Sequence, residues 1–188
     1  MSRAWPVTDV DPDESLATNA RRVLAVRIAE YFSYASVVPL EHAVEPLHNL
    51  RISAKRLRYT LELFRDVFGE SGKVQLERVK AIQEELGELH DHDVRIELIL
   101  DELERTASEQ ITHLGRELAA APVGEHAAIA ASLLRPPPDD PRRGLIALLG
   151  REHVRRQERY WSFRRRWERQ AADGFRAELV RLSTIAAG

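Results

Sequence analysis

Between Pro46 and Gly69 apolar residues recur at alternating intervals of three and four: Leu47, Leu50, Ala54, Leu57, Leu61, Phe64 and Phe68. At about 100° per residue these positions fall within roughly one third of a helix circumference. The segment is therefore read as an α-helix with a single core-facing stripe. Nowhere in the 188 residues does a period-two alternation persist between turn residues, so no strand is expected. Helical spacing governs the rest of the chain. The fold class that follows is all-α, an antiparallel helical bundle of long helical hairpins.

Prolines and glycines set the boundaries. Residues 1–13 are polar, contain Pro6 and Pro12, and read as a flexible tail. The single helical domain then spans 14–187. Asp13 or Ser15 caps a first helix that runs to about Ser36, and Pro39 breaks the chain. Pro46 suits the first turn of the second helix, where its missing N–H costs nothing. That helix runs to Phe68 and stops at Gly69, with Gly72 just beyond. A third helix covers about Lys73 to Arg105 and extends as far as Ala120, before Pro122 and Gly124. A short helix covers Glu125 to Leu134. Residues 135–141 carry four prolines and read as a stiff, extended linker inside the domain. A fourth long helix runs from Arg142 to Ala171. Asp173 and Gly174 interrupt it, and a short last helix ends near Ile185.

Charge is distributed unevenly. Residues 48–66 carry five basic and two acidic groups, 67–141 seven and sixteen, and 142–169 ten and three. Two basic segments thus flank an acidic middle, although the net charge is only −2. The absence of cysteine excludes disulfides and thiolate metal sites. The first residues lack the cationic and apolar regions of a signal peptide, and no apolar run approaches a membrane-spanning length. A cytoplasmic protein that avoids membranes is the resulting expectation.

The order of faces around the second helix is unusual. With Leu47 at zero, His48, Arg51, Lys55, Arg58 and Glu62 fall between about 20° and 100°. Ile52, Tyr59 and Leu63 form a second apolar strip beyond them, while Arg56 falls on the ordinary wet face. A row of cations between two apolar strips is costly unless something negative joins it. Either carboxylates of the third helix supply that charge (Glu84, Glu85, Asp91 and Asp93 are the candidates) or a ligand does. Arginine binds phosphate through a planar fork, lysine adds a point charge, and protonated histidine donates from both nitrogens.

Two more rows extend the theme. Arg151, Arg155, Arg159, Arg166 and Arg169 share a sector of the fourth long helix, beside a stripe of Leu145, Leu149, Tyr160, Phe163 and Trp167. Its three glutamates, Glu152, Glu158 and Glu168, do not balance ten arginines, so a second wall of one anion groove is expected. On the third helix, Val79, Ile82, Leu86 and Leu89 form the core stripe, and Lys80, Gln83, Gly87 and Asp91 lie next to it. Lys80 extends the donor set, with Gln83 and Asp91 in support. Gly87 costs about 1 kcal/mol relative to alanine in mid-helix, and a close helix–helix approach would explain it.

The run His90-Asp91-His92-Asp93 raises the alternative of a metal-dependent phosphohydrolase. Only His90 and Asp93 share a helix face at a spacing of three, and two ligands make a weak site, so neither a metal nor a catalytic residue is expected. No nucleophile motif, phosphate-cradling glycine loop or cofactor signature is present. A third alternative is nucleic-acid binding by the Arg-rich helix 142–169. The acidic middle would repel a duplex, and no base-reading motif accompanies it.

The runs Leu47-His48-Asn49-Leu50-Arg51-Ile52-Ser53-Ala54-Lys55-Arg56-Leu57-Arg58-Tyr59 and Leu86-Gly87-Glu88-Leu89-His90-Asp91-His92-Asp93-Val94 resemble two motifs of the CHAD domain, the conserved-histidine α-helical domain. The first is similar to the family's H-x-x-R-x-x-x-K/R-R-x-R helix, the second to its L-G-x-x-x-D-x-D-V helix. The resemblance covers roughly residues 45–100. It implies a helical fold with internal pseudo-two-fold character around a basic central channel, and non-catalytic binding of inorganic polyphosphate. His48, Arg51, Lys55 and Arg58 would be the principal ligands and Lys80 a further one. Association with polyphosphate granules is a corollary. Members usually carry the first motif twice. Here either His153-Val154-Arg155-Arg156 is a degenerate second copy, or a homodimer completes the channel.

Overall fold

The computed structural model describes residues 3–133 and 140–184, and every regular element among them is helical. The elements are α1 (Leu16–Phe32), a single 3-10 turn (Ala35–Val37), α2 (Val44–Leu63), α3 (Arg65–Ala120), α4 (His126–Leu133), α5 (Pro141–Ala172) and α6 (Phe175–Thr184). The expected linker residues 135–139 and the expected end at Ile185 lie outside the described residues.

Local chemistry explains where these boundaries depart from expectation. Ser15 caps α1, its hydroxyl accepting the Thr18 N–H at 3.1 Å. The helix stops at Phe32 instead of Ser36. The Ser33 hydroxyl donates to the Glu30 carbonyl at 2.7 Å, a local bond that competes with the next helical turn. Helix α2 ends at Leu63, five residues early, where Phe64 leaves helical geometry at φ −103°. The corner that follows needs both of its glycines. Gly69 sits at φ 54°, ψ −146° inside α3, in the left-handed region that favours glycine. A Cβ on Gly72 would collide with the Phe68 Cβ, so no larger residue fits there. Pro141, expected in an extended linker, instead starts α5, where a proline loses no helical bond. Asp140 caps that helix by accepting the Arg142 N–H at 3.0 Å.

The described chain divides into two compact units, Met1–Asp91 with Gln157–Gly188, and His92–Arg156. Helices α3 and α5 each contribute to both.

The first unit holds the main apolar core. It gathers Ala20, Leu24, Ile28 and Tyr31 of α1, the Leu47–Leu61 stripe of α2, and Val79, Ile82, Leu86 and Leu89 of α3. Tyr160 and Phe163 of α5 and Phe175, Leu179 and Leu182 of α6 complete it. All are buried, as helical spacing predicts for the α2 and α3 stripes. The Tyr160 hydroxyl donates to the buried Val38 carbonyl at 3.0 Å, fixing the connection between α1 and α2. Residues 3–14 are non-helical but tied to α1: Arg27 donates to the Trp5 carbonyl at 3.0 Å, and Arg22 to the Asp9 carbonyl at 2.7 Å. Arg56, expected on the wet face, is half-buried. It donates to Glu30 of α1 at 2.5 Å, and Arg27 donates to the same carboxylate at 2.6 Å.

The second unit buries fewer large apolar chains, Ile96 and Ile99 among them, and it buries the polar groups His92, Glu152 and Arg156. His92 Nδ1 lies 2.7 Å from Glu152, and Arg156 donates to Asp93. The His92 hydrogen bond holds the Glu152 carboxyl below the ordinary glutamate value of 4.5. A carboxyl with a lowered folded-state pKa contributes stability that is complete above its unfolded value and is lost as pH falls through the folded one. Thermal melting of the wild type should therefore weaken progressively below about pH 4.5. In His92→Leu that acid-side slope should be shallower, and an unchanged slope would show that the pair is not its source.

Candidate anion site

Helix α2 turns its core stripe inward and its Arg56 onto Glu30 of α1. His48, Arg51 and Arg58 are half-buried and Lys55 is exposed. The row meets α3 at His48 and at Arg51. The rings of His48 and His90 stack with centroids 4.4 Å apart. The Arg51 Nε lies 3.7 Å from where a Cβ on Gly87 would stand. Three residues up α2, from His48 to Arg51, correspond to three residues down α3, from His90 to Gly87, so the two helices run antiparallel here.

Gly87 therefore has a role other than close backbone approach: no backbone atom of a neighbouring element lies near its missing Cβ, only the Arg51 guanidinium does. A separation of 3.7 Å is ordinary van der Waals contact, so alanine fits. Gly87→Ala should raise stability by up to about 1 kcal/mol through helix propensity. Gly87→Leu should displace Arg51 and lower anion affinity while leaving far-ultraviolet circular dichroism intact. A loss of stability in the alanine variant would contradict this reading.

The carboxylates that could have neutralised the row are engaged elsewhere or point to solvent. Glu85 accepts from Arg166 at 2.8 Å, and Asp93 pairs with Arg156. Glu84 and Asp91 are exposed. Among the described residues, Arg51 and Lys55 have no carboxylate partner, and Arg58 has only Glu62, at 3.5 Å. The Arg51 Nε and the Gln83 Oε1 are buried without a hydrogen-bond partner among the described residues. Lys55 and Arg58 lie instead over the Tyr59 ring, 5.6 and 4.7 Å from its centroid.

One expected boundary of the row is only partly built. Ile52 is half-buried, but Tyr59 is 48 % exposed and Leu63 76 % exposed, so most of the outer apolar strip is not packed. The row lies between the core and open solvent. Helical spacing shows which residues share a strip, but not whether anything covers it.

The other basic residues are differently placed. Lys80 pairs with Glu77 at 2.8 Å on its own helix. In the first unit, Arg159 pairs with Glu88 at 2.9 Å and Arg166 with Glu85 at 2.8 Å. Glutamates of α3, outside the Arg-rich segment itself, thus neutralise part of the α5 row. Arg151 and Arg155 belong to the second unit and are exposed, and Arg155 lies 3.3 Å from Glu152. In the run His153-Val154-Arg155-Arg156, Arg156 is buried on Asp93 and His153 is exposed. The four residues His90 to Asp93 have four separate surroundings: the His48 ring, solvent, Glu152 and Arg156. Among the described residues no three His, Asp or Glu side chains are grouped to hold a metal, and no helix is long and apolar enough to cross a membrane.

A family model for the CHAD domain matches residues 3–100. The chain belongs to the CHAD domain family. The match contains α2 and both α3 residues that meet the row, His90 and Gly87. No curated protein and no solved structure matches the chain.

Proposed function

We propose that this CHAD protein binds inorganic polyphosphate, without chemistry of its own, along a basic groove between α2 and α3. The observation that carries the reading is the pair Arg51 and Lys55, cations with no carboxylate partner among the described residues, on a helix whose neighbouring acids are engaged elsewhere. Internal salt-bridging, the competing explanation for such a row, does not account for them. Continued from its two contacts, the antiparallel register sets Lys55 opposite Gln83 and Arg58 opposite Lys80. That gives four cations, His48, and an amide along about 15 Å of helix at 1.5 Å per residue. The exposed ion pair of Lys80 with Glu77 is worth little and exchanges readily for a phosphate. Arg159 and Arg166 would form the far wall once their glutamates yield. A second copy of the chain would supply the repeat of the first motif that this chain lacks. A cytoplasmic site of action, at granules of the polymer, fits a ligand of this kind.

The test is calorimetric titration with long-chain polyphosphate at two salt concentrations. Neutralising four phosphates of a flexible strand gives a slope of about −0.7 per contact in log affinity against log salt. Between 50 and 200 mM salt the affinity should fall about fiftyfold. Saturable binding with that slope supports the reading, and absence of binding at the lower salt removes it. Sedimentation with and without the polymer reports whether two chains join.

A further inference from the structure

One titratable group beside the α2 row has no role in the function proposed above. His90 is half-buried and stacks on His48 at 4.4 Å, yet its Nδ1 is buried and has no hydrogen-bond partner among the described residues. We propose that His90 is a second imidazole donor of the anion site, and that polyphosphate binding there takes up a proton. This rests on the function proposed above.

The charged groups around His90 favour this arrangement. From α2 it meets His48, and Arg51 lies one turn along that helix against Gly87. From α5, Arg159 reaches α3 at Glu88 and so occupies that carboxylate. Of the remaining acids nearby on α3, Asp91 is exposed and Asp93 is held by Arg156. No carboxylate is recorded against the His90 ring among the described residues. A phosphate chain laid across the two rings favours the charged form of each. Both rings then gain an N–H to donate and a negative group to receive it. Because binding favours the charged form, protonation must favour binding equally. Imidazole changes charge between about pH 5 and 8, so the linkage falls within the range of cellular pH. A neutral His90 serves the anion with one donor at most. A charged one serves it with two.

The experiment measures affinity for long-chain inorganic polyphosphate, whose titrating end groups are few, at pH 6 and pH 8 and constant salt. The full chain is used as wild type, His90→Asn and Lys55→Ala. The wild type should bind about thirtyfold more tightly at pH 6 than at pH 8, the result of taking up somewhat less than one proton per site. His90→Asn should reduce that ratio to about fivefold or less, the remainder belonging to His48. Lys55→Ala should bind more weakly at both pH values but keep the wild-type ratio. If wild type and His90→Asn show the same ratio, the proposal is overturned. If nothing binds at either pH, the polyphosphate reading itself fails and this inference fails with it. A second measurement needs no variant that must fold: the imidazole resonances of the wild-type chain at pH 7. The His90 signal should move to its protonated position when polyphosphate is added, and a His90 signal that stays in place while binding proceeds overturns the proposal.

Discussion

With Arg51 and Lys55 both replaced by alanine, affinity for long-chain polyphosphate should fall by about a hundredfold or more. A hydrogen bond to a charged partner contributes about 1.5–3 kcal/mol, and each 1.4 kcal/mol is tenfold in affinity. Two such contacts give about two to four decades, and the exposure of Lys55 places the expectation at the lower end. The salt slope should shrink by about 1.4, the share of two phosphates on a flexible strand. Folding should survive. Neither residue is in an ion pair among the described residues, and substitutions away from such features usually stay within about 0.5 kcal/mol. The matched control is Arg159→Ala with Arg166→Ala. Those guanidinium groups are held by Glu88 and Glu85, so a phosphate gains there only what it gains beyond the carboxylate it displaces. Less than tenfold is expected from that pair, together with some loss of stability. A larger loss from the α5 pair than from the α2 pair would relocate the site.

The sequence made the helices and their inner faces legible because a core stripe is a local pattern. Every member of the Leu47–Leu61 and Val79–Leu89 stripes is buried. That the α2 cations share one face was legible too, since their angles relative to one another follow from that helix alone. What was not legible depended on partners from elsewhere in the chain. Arg56 shares a helix with the row and was assigned to solvent, because Glu30, twenty-six residues away, gave no sign at helical spacing that it would be its partner. The one available hint was a buried-face position in α1 occupied by glutamate three residues after Arg27. The same limit applies to α5, where the acids counted within residues 142–169 omitted Glu85 and Glu88 of α3. Gly87 was recognised as unusual, but its neighbour is a guanidinium rather than a helix backbone, and spacing does not distinguish the two. The corner at Phe64 was missed for another reason. The apolar stripe continues through it to Phe68, so the pattern persists where the backbone does not.

Removing the Glu30 carboxylate should be among the most destabilising single changes where α1 meets α2. Glu30 is 1 % exposed and receives bonds from Arg27 and Arg56, whose side chains are 14 % and 24 % exposed. Deleting one member of a buried ionic group costs about 3–5 kcal/mol, because the charge left behind loses its partner but not its desolvation. Here water can reach both arginines in part, so about 2–4 kcal/mol is expected for Glu30→Ala. For a chain of this length that is a fall of about 5–15 °C in Tm. Glu30→Gln should lose less, since the amide oxygen still accepts. Replacing all three residues together by leucine and methionine should recover much of the loss, as apolar replacement of a buried ionic group often does. The functional consequence follows from helix geometry. Arg56 and Lys55 are adjacent, so their side chains diverge by about 100°. Anchoring Arg56 to α1 through Glu30 therefore directs Lys55, Arg51 and Arg58 toward the other side, where α3 and its Gly87 lie. If the anchor sets that rotation, Glu30→Ala should weaken polyphosphate binding although it touches none of the proposed ligands. The apolar triple variant should restore Tm more fully than it restores affinity. Loss of stability with unchanged affinity in Glu30→Ala would show that the core stripe alone orients α2.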